Sequence, residues 1–284
     1  MNHEPYHWGR PLDEIYGPYN HRISQANNAE FIDYNHHSLH QQSFPKMNTQ
    51  QPIITGTSIV ASKFANGIIM AADNVGSYGS LLRFNNLERL IKIGSETVVG
   101  ISGDISDLQY IERLLDELEI EEEVYDNEEG DFLRAPNVHE YLSRVMYNRR
   151  SRMNPLWNSI VVGGFDKDRK PFLKYVDLLG VTYHASTIAT GFGSHLAIPL
   201  LRNAIPDDKD YVKVKEDEIK KVVDDCMRVL FYRDARSGES FSRVVIKLDE
   251  ESGKLDFDFE KGVKVGNQSW RFAKDIRGYA SKQQ

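Results

Sequence analysis

The chain has 284 residues, of which 40% are hydrophobic and 27% charged, a balance typical of soluble globular proteins. Its net charge of −7 argues against nucleic acid binding, and no run approaches the roughly 18 apolar residues of a membrane span. The chain has a single cysteine, Cys226, which excludes an internal disulfide and is typical of a reducing compartment. Because the N-terminus also has no secretory signal, we predict a protein of the cytoplasm and nucleus.

Residues 1–48 differ in composition from the rest of the chain. They contain six of the nine histidines and almost no aliphatic side chains. Such a segment cannot bury enough apolar surface to offset the entropy lost on ordering. We interpret it as a polar leader that is removed. A metal site at His36, His37 and His40 is the alternative, although no cysteine or carboxylate cluster supports it.

The next part of the chain predicts a series of short β-strands. Residues 57–64 and 67–74 are apolar, β-rich runs that are joined through Asn66 and Gly67, a hairpin signal. Residues 89–104 add two further strands around a short turn.

Two helices follow these strands. The first begins near Asp104 and Ser106, two potential capping residues, and the second ends before Asn154-Pro155. Their apolar positions recur at helical spacing: Leu108, Ile111, Leu115 and Leu118, then Val138, Leu142, Val145 and Met146. Between them, the acidic run 119–132 predicts a solvated loop, with a docking surface as the alternative.

The remaining chain returns to strands and a second pair of helices. Strands are predicted over 157–166, 171–180, 186–193, 242–249 and 254–260, and helices from Ser194 and over 216–233. The order predicts an α+β fold in which two sheets pack face to face between outer helices, a four-layer αββα sandwich. We assign this domain to residues 49–267.

Five motifs occur along the chain in a specific order: Gly56-Thr57, GIIMAAD ending at Asp73, GISGDISD, ATGFGS and YRDARSG. Together they resemble the N-terminal-nucleophile hydrolases and, within them, the β-type subunits of the 20S proteasome. The resemblance runs from about Thr49 to Gln284. The stretches TQQPIITGTS, SYGSLLRFN, RRSRMNPLWN and FAKDI are similar to one branch of that family, the seventh β-type subunits of fungi (β type-4 in animals).

The resemblance raises the question of whether Thr57 is a nucleophile. A threonine hydroxyl needs a base, and in catalytic members of the family that base is the threonine's own freed α-amine, with a pKa of about 7.7–8.0. A peptide nitrogen cannot accept a proton in this way because its lone pair is delocalised. Thr57 would therefore need cleavage after Gly56. The related seventh subunits mature further upstream, at a position that matches the bond between Asn48 and Thr49.

Four supporting residues of the family's site have matches in this chain. Asp73 matches the aspartate that orients the active-site lysine, and Gly103 matches the glycine whose N–H donates to the oxyanion. Asp234 and Ser237 match the last pair of the site, with the aspartate near the threonine amine.

Two positions depart from the family's pattern. The lysine's position falls on Arg89, whose guanidinium keeps its proton and cannot shuttle one. Phe192 replaces a serine and cannot make that serine's hydrogen bond. Each lost acid–base group typically lowers the rate by about 10²–10⁴. We therefore interpret Thr57 as a non-catalytic residue in a strand.

Several alternatives stay open at this point. Asp73 and Asp234 can cap turns or pair with Arg89 or Arg233, and we favour this structural role over a catalytic one. The chain could instead be a threonine peptidase that uses Thr57, a monomeric binding protein that reuses the sandwich, or another amidase of the superfamily. The last is weakened because no Cys or Ser nucleophile stands at the strand start.

The resemblance implies a structural member of a seven-membered β ring. Such rings stack two deep between rings of α-type subunits, and other β subunits cleave proteins inside them. We expect no cofactor and no metal ion. The tail 268–284 is interpreted as reaching the opposite β ring, with folding back on its own domain as the alternative. Its apolar anchors are Trp270, Phe272, Ile276 and Tyr279.

Overall fold

The computed structural model describes residues 52–125, 133–249 and 253–266, and within these ranges thirteen strands and four α-helices follow the predicted order of strand and helix blocks. The helices are α1 (Ile105–Tyr125), α2 (Ala135–Ser151), α3 (Gly193–Ala204) and α4 (Glu216–Arg233). The strands are β1 (Ile54–Gly56), β2 (Ile59–Phe64), β3 (Gly67–Asp73), β4 (Gly76–Tyr78), β5 (Leu81–Phe84), β6 (Leu90–Ile93), β7 (Thr97–Asp104), β8 (Asn158–Phe165), β9 (Pro171–Val176), β10 (Thr182–His184), β11 (Thr187–Ala189), β12 (Ser240–Leu248) and β13 (Leu255–Lys264).

Both ends of the chain fall outside the described residues. The leader 1–48 and the bond between Asn48 and Thr49 therefore stay predictions. The same holds for the tail 268–284 and its four anchors, Trp270, Phe272, Ile276 and Tyr279.

The strands form two antiparallel sheets. The larger runs in the order β10-β9-β8-β7-β1-β4-β5, with β6 also paired to β7, and the smaller runs β11-β2-β3-β12-β13. β1 lies inside the larger sheet, whereas β5 and β10 are its edges. The Asn66-Gly67 signal correctly predicts the β2–β3 hairpin, in which Phe64 pairs with Gly67.

Three hydrophobic layers hold the sheets and helices together. The layer between the sheets includes Ile59, Ala61, Ile68, Met70, Val98, Val161 and Leu173. The outer face of the smaller sheet packs against α3 and α4, and that of the larger sheet against α1 and α2. Full burial of one valine, leucine, isoleucine or methionine side chain stabilises the fold by about 1.5–3 kcal/mol. The predicted four-layer αββα sandwich is confirmed.

One local prediction is wrong, and four short strands were not predicted. α1 continues to Tyr125, so the loop predicted over 119–132 is wrong for 119–125. Glutamate is a good helix former, and Glu119 also accepts the N–H of Gly94 at 2.8 Å. In addition, β1, β4, β5 and β10 were not predicted. They are three or four residues long, too short for a clear alternation of apolar and polar positions.

The predicted cap of α1 is present, because Oδ2 of Asp104 accepts the N–H of Asp107 at 3.1 Å. Cys226 is fully buried in the layer beneath α4, and burial raises the pKa of its thiol to about 12. Among the described residues, no helix combines the length and the apolarity that a membrane crossing requires.

His139 makes the stability of the domain depend on pH. Its ring is buried between α2 and β9, and burial lowers the pKa of the imidazole. The unfolded imidazole therefore takes up a proton before the folded one. We expect the free energy of unfolding to fall as pH drops from about 6.5, the unfolded pKa, towards the lower folded pKa. His139→Gln can still donate to the carbonyl of Tyr175 but does not titrate. Urea titrations of both proteins at several pH values should show a shallower fall for the variant, and equal slopes would contradict this assignment.

Candidate functional site

The chain crosses from the larger sheet to the smaller one at Thr57 and Ser58. β1 ends at Gly56 and β2 begins at Ile59, so Thr57 lies in the link between two strands. The prediction that Thr57 belongs to a strand is therefore wrong. β1 is paired with β7 on one edge and with β4 on the other. The residues directly upstream of Thr57 thus form an interior strand of the larger sheet.

Two glycines allow close approach to this link. Gly56 lies opposite Gly103 in the β1–β7 pair. A Cβ at Gly56 would lie 2.5 Å from Cδ of Arg89, and one at Gly103 would lie 2.1 Å from the carbonyl oxygen of Trp157. Gly103 also has a φ of +98°, which side-chain-bearing residues rarely adopt. The fold therefore requires glycine at the position matched to the family's oxyanion donor, independently of any chemistry.

The hydroxyl of Thr57 donates to Oδ2 of Asp234 over 2.5 Å. Asp234 follows the last residue of α4 and is buried, and its Oδ1 accepts the N–H of Arg236 at 2.9 Å. Asp234 thus binds Thr57 and Arg236, not the Arg233 side chain that the sequence suggested as a partner. This contact fixes the Thr57 hydroxyl, although a carboxylate is a weak base towards an alcohol.

Ser237 contacts the backbone of Asp234 and the end of α4. Its hydroxyl lies within hydrogen-bonding distance of two carbonyl oxygens, that of Leu230 at 2.9 Å and that of Asp234 at 2.8 Å. The Leu230 carbonyl also accepts the N–H of Asp234 at 2.7 Å, so the Ser237 hydroxyl adds a second contact at the C-terminal end of α4. Ser237 therefore holds Asp234 in place and does not itself reach Thr57.

Arg89 fills the space beside the link, and its side chain is fully buried. Nη1 donates to the carbonyl of Thr57 at 2.8 Å and Nη2 to the carbonyl of Ser58 at 3.0 Å. Nε donates to the carbonyl of Asp73 at 3.0 Å, and Nη2 also forms an ion pair with the Asp73 carboxylate. The guanidinium thereby ties the end of β3 to the link between β1 and β2.

Asp73 is the only carboxylate that forms an ion pair with Arg89 among the described residues. Burial raises the pKa of the Asp73 carboxyl, while the Arg89 guanidinium and the N–H groups of Val75 and Gly238 oppose that shift. Arginine stays charged under all these conditions. The ion pair with Arg89, which was the structural role favoured for Asp73, is therefore present in the structure.

Phe192 stands apart from this network. It occupies the N-cap position of α3, makes no capping hydrogen bond, and is 55% exposed. The hydroxyl of Ser194 bonds the carbonyl of Gly191 at 2.6 Å. No side-chain oxygen is available at position 192, where the family resemblance expects a serine.

Two buried hydroxyls that sequence reasoning missed hold the other side of the link. Oγ of Ser58 accepts the N–H of Gly193 at 2.8 Å, and Oγ1 of Thr190 accepts the N–H of Ile59 at 2.9 Å. These bonds join the start of β2 to the start of α3. The available signal was a pair of small hydroxyl residues beside a glycine-rich turn, which does not specify partners more than 130 residues away.

The structure thus gathers most of the predicted site residues around the link: Thr57, Asp73, Arg89, Gly103 and Asp234, with Ser237 behind them. Arg89 can donate protons but not accept them, and its donors are engaged by three backbone carbonyls and the Asp73 carboxylate. The arrangement fixes the backbone of the link. In the described part of the chain, no group of three or more His, Cys, Asp or Glu side chains is placed to hold a metal ion.

Comparison with known proteins identifies the family. The family model described as "Proteasome subunit" matches residues 53–246, which include every residue of the site. The chain belongs to the proteasome subunit family. It is 50% identical to proteasome subunit beta type-7 of Saccharomyces cerevisiae, over 99% of both chains.

Other members of the proteasome subunit family are also similar over most of their length. The chain is 42% identical to a probable proteasome subunit beta type-7 of Schizosaccharomyces pombe, covering 97% of this chain and 96% of the relative. It is 45% identical to proteasome subunit beta type-4 of Xenopus laevis, covering 83% and 92% respectively. The predicted resemblance to β-type subunits, and to this branch among them, is confirmed.

Proposed function

We propose that this chain is a non-catalytic structural β subunit of the 20S proteasome core particle, in which other β subunits degrade proteins. The observation that carries the proposal is the buried Arg89 guanidinium, which binds the carbonyls of Thr57 and Ser58 and pairs with Asp73. It stands where a lysine able to exchange protons is expected. The alternative, a threonine peptidase acting through Thr57, is not favoured for this reason.

The position of β1 supports the same proposal. A free amine on Thr57 requires cleavage after Gly56, which would detach β1 from the chain. β1 would then remain between β7 and β4 through hydrogen bonds and packing alone. Maturation between Asn48 and Thr49 leaves β1 attached, so this is the processing site that we propose.

An exposed apolar surface supports a role in ring contacts. Tyr78, Leu81, Leu82 and Phe84, here called the hairpin patch, lie on β4 and β5 and are 42–56% exposed. Successive residues of a strand point to opposite faces, so β5 exposes apolar side chains on both of its faces, and exposed apolar side chains grouped in this way commonly mark an interaction site. β5 is also an edge of the larger sheet. We assign the hairpin patch to a contact with a neighbouring β subunit in stacked seven-membered rings. We propose that these particles act in the cytoplasm and nucleus.

The C-terminal tail offers a test of the structural role. Deletion of residues 268–284 is expected to leave the subunit folded and incorporated into half-particles. The yield of full particles should fall on the order of tenfold, the effect of losing about 1.4 kcal/mol of contact between the two β rings. Native gels of purified particles measure both species.

A shorter deletion provides the control for this experiment. Removing only residues 281–284 takes away none of the four anchors, and full particles should form normally. A normal yield of full particles from the longer deletion would contradict the proposed contact with the opposite ring. A mature subunit that occurs only as a free chain in native extracts would contradict the ring assignment itself.

A further inference from the structure

The larger sheet has a second edge, at β10, that no strand of the described residues covers. β10 is antiparallel to β9, and the N–H of Asp177 donates to the carbonyl of Val181 at 3.2 Å where the two strands meet. Backbone groups of an antiparallel strand point alternately to its two edges. The N–H and C=O groups of Thr182 and His184 therefore point away from β9, and both residues are exposed. This edge can pair with an extended segment of another chain.

A groove of about 510 Å³ lies between β10 and α2. Its lining includes Arg144, Tyr147 and Ser151 of α2, together with Gly180 and Thr182. The Tyr147 side chain is 58% exposed and presents an aromatic ring to the groove. Because Thr182 belongs to both the free edge and the groove, a strand added to β10 would place alternate side chains in the groove.

The turn between β9 and β10 holds this surface in one conformation. Oδ1 of Asp177 accepts the N–H groups of Leu179 and Val181, both at 2.9 Å. Gly180 has a φ of +76°, and a Cβ there would lie 3.0 Å from Cβ of Tyr147, so the turn packs directly against α2. Leu179 and Val181 are nevertheless 51% and 54% exposed. An apolar surface that is ordered in advance loses less conformational entropy on binding.

Two arginines flank Tyr147 on α2. Arg144 lines the groove, and its ion pair with Glu140 joins side chains that are 78% and 59% exposed. Such an exposed pair contributes little and is readily exchanged for another carboxylate. The guanidinium of Arg150 lies 5.7 Å from the centre of the Tyr147 ring. Guanidinium groups on both sides of an aromatic ring favour a segment that carries carboxylates beside an apolar side chain.

We propose that the free edge of β10 and this groove, together called the β10 surface, bind an extended acidic segment of a neighbouring proteasome subunit as an additional strand. The inference rests on the proposed function, because a member of a ring contacts two neighbours through two different faces. The hairpin patch lies at the opposite edge of the larger sheet, on β5. The β10 surface is assigned to the second neighbour. An apolar side chain of that neighbour enters the groove against Tyr147, and its carboxylates pair with Arg144 and Arg150.

Hydrogen exchange at single amides tests the added strand without any substitution. The amides of Thr182 and His184 should exchange at least about tenfold more slowly in the native particle than in the free subunit, because the new strand accepts their hydrogens. The amide of Tyr183 points towards β9 and should be protected in both states. Unchanged exchange at Thr182 and His184 on incorporation would overturn the inference and leave the proposed function intact.

Two variants test the edge and the groove separately. Thr182→Pro removes an N–H from the free edge but no bond to β9, and Tyr147→Ser removes the aromatic ring. Each should lower the fraction of the subunit found in particles about tenfold. Tyr232→Ser, on α4, changes a ring that is 54% exposed and should assemble normally. Normal incorporation of both variants would overturn the inference, whereas a wild-type subunit that enters no particle would refute the proposed function instead.

A pair of charge reversals tests the acidic character of the partner. Arg144→Glu combined with Arg150→Glu should also lower incorporation about tenfold, since it places carboxylates against carboxylates. Lys167→Glu combined with Lys170→Glu reverses two exposed charges in the turn between β8 and β9 and serves as the matched control. Equal incorporation of the two double variants would show that the β10 surface does not bind an acidic segment.

Discussion

Replacing Arg89 with alanine is expected to lower the free energy of unfolding by about 3–5 kcal/mol. The change leaves the buried Asp73 carboxylate without its ion-pair partner and removes the donors to three backbone carbonyls. A buried charge that loses its partner is among the most destabilising changes in a protein. Urea titration followed by circular dichroism measures the difference between the two proteins.

Three further variants make this prediction specific. Arg83→Ala removes an exposed arginine from β5 and should change stability by no more than about 0.5 kcal/mol. Arg89→Lys keeps a positive charge but loses the planar fork, so an intermediate loss is expected. Adding Asp73→Asn to Arg89→Ala should recover part of the loss, because it removes the unpaired charge. If Arg89→Ala is no more destabilising than Arg83→Ala, the guanidinium does not hold the link.

Replacing both Leu81 and Leu82 in the hairpin patch with serine should reduce incorporation into particles by roughly 30-fold, the effect of losing about 2 kcal/mol at an interface. Both side chains are more than half exposed, so the domain itself should keep its stability. The fraction of the subunit in full particles can be measured on native gels against total subunit.

A matched control for the hairpin patch is Val212→Ser. Val212 is 59% exposed, comparable with Leu81 and Leu82, but lies in the turn Asp210–Lys213 near α4. This variant should assemble normally, because it changes an equally exposed apolar side chain outside the hairpin patch. Normal assembly of the double leucine variant would show that the hairpin patch does not contact a neighbouring subunit.

Most of the architecture could be predicted from local sequence patterns. The apolar residues of α4 have a clear helical period, and the predicted span 216–233 coincides with the helix. The β2–β3 hairpin follows from Asn66-Gly67 between two apolar runs. Both elements are determined by neighbouring residues, which is why the pattern is sufficient.

Elements that depend on distant partners were not predictable in the same way. β5 exposes all four of its residues and exists through its pairing with β4. β1 has three residues and is defined by pairing with β4 and β7. An alternation of apolar and polar residues indicates which side chains are buried, whereas these strands are defined by backbone hydrogen bonds to other strands.

The candidate site likewise has features that could be predicted and features that depend on distant parts of the chain. The family resemblance assigned Asp73 and Arg89 to the site, and their ion pair was one of the predicted roles. The remaining donors of Arg89 bind backbone carbonyls, which every residue possesses and no sequence distinguishes. The contact between Thr57 and Asp234 joins residues 177 positions apart and depends on the complete fold.

The first residue of the mature chain in native particles tests the central claim most directly. Mass spectrometry of the intact subunit is expected to give an N-terminus upstream of Ile54, at Thr49, with β1 still attached and the nitrogen of Thr57 in a peptide bond. A subunit that begins at Thr57 would carry a free amine beside its hydroxyl and would contradict the non-catalytic assignment.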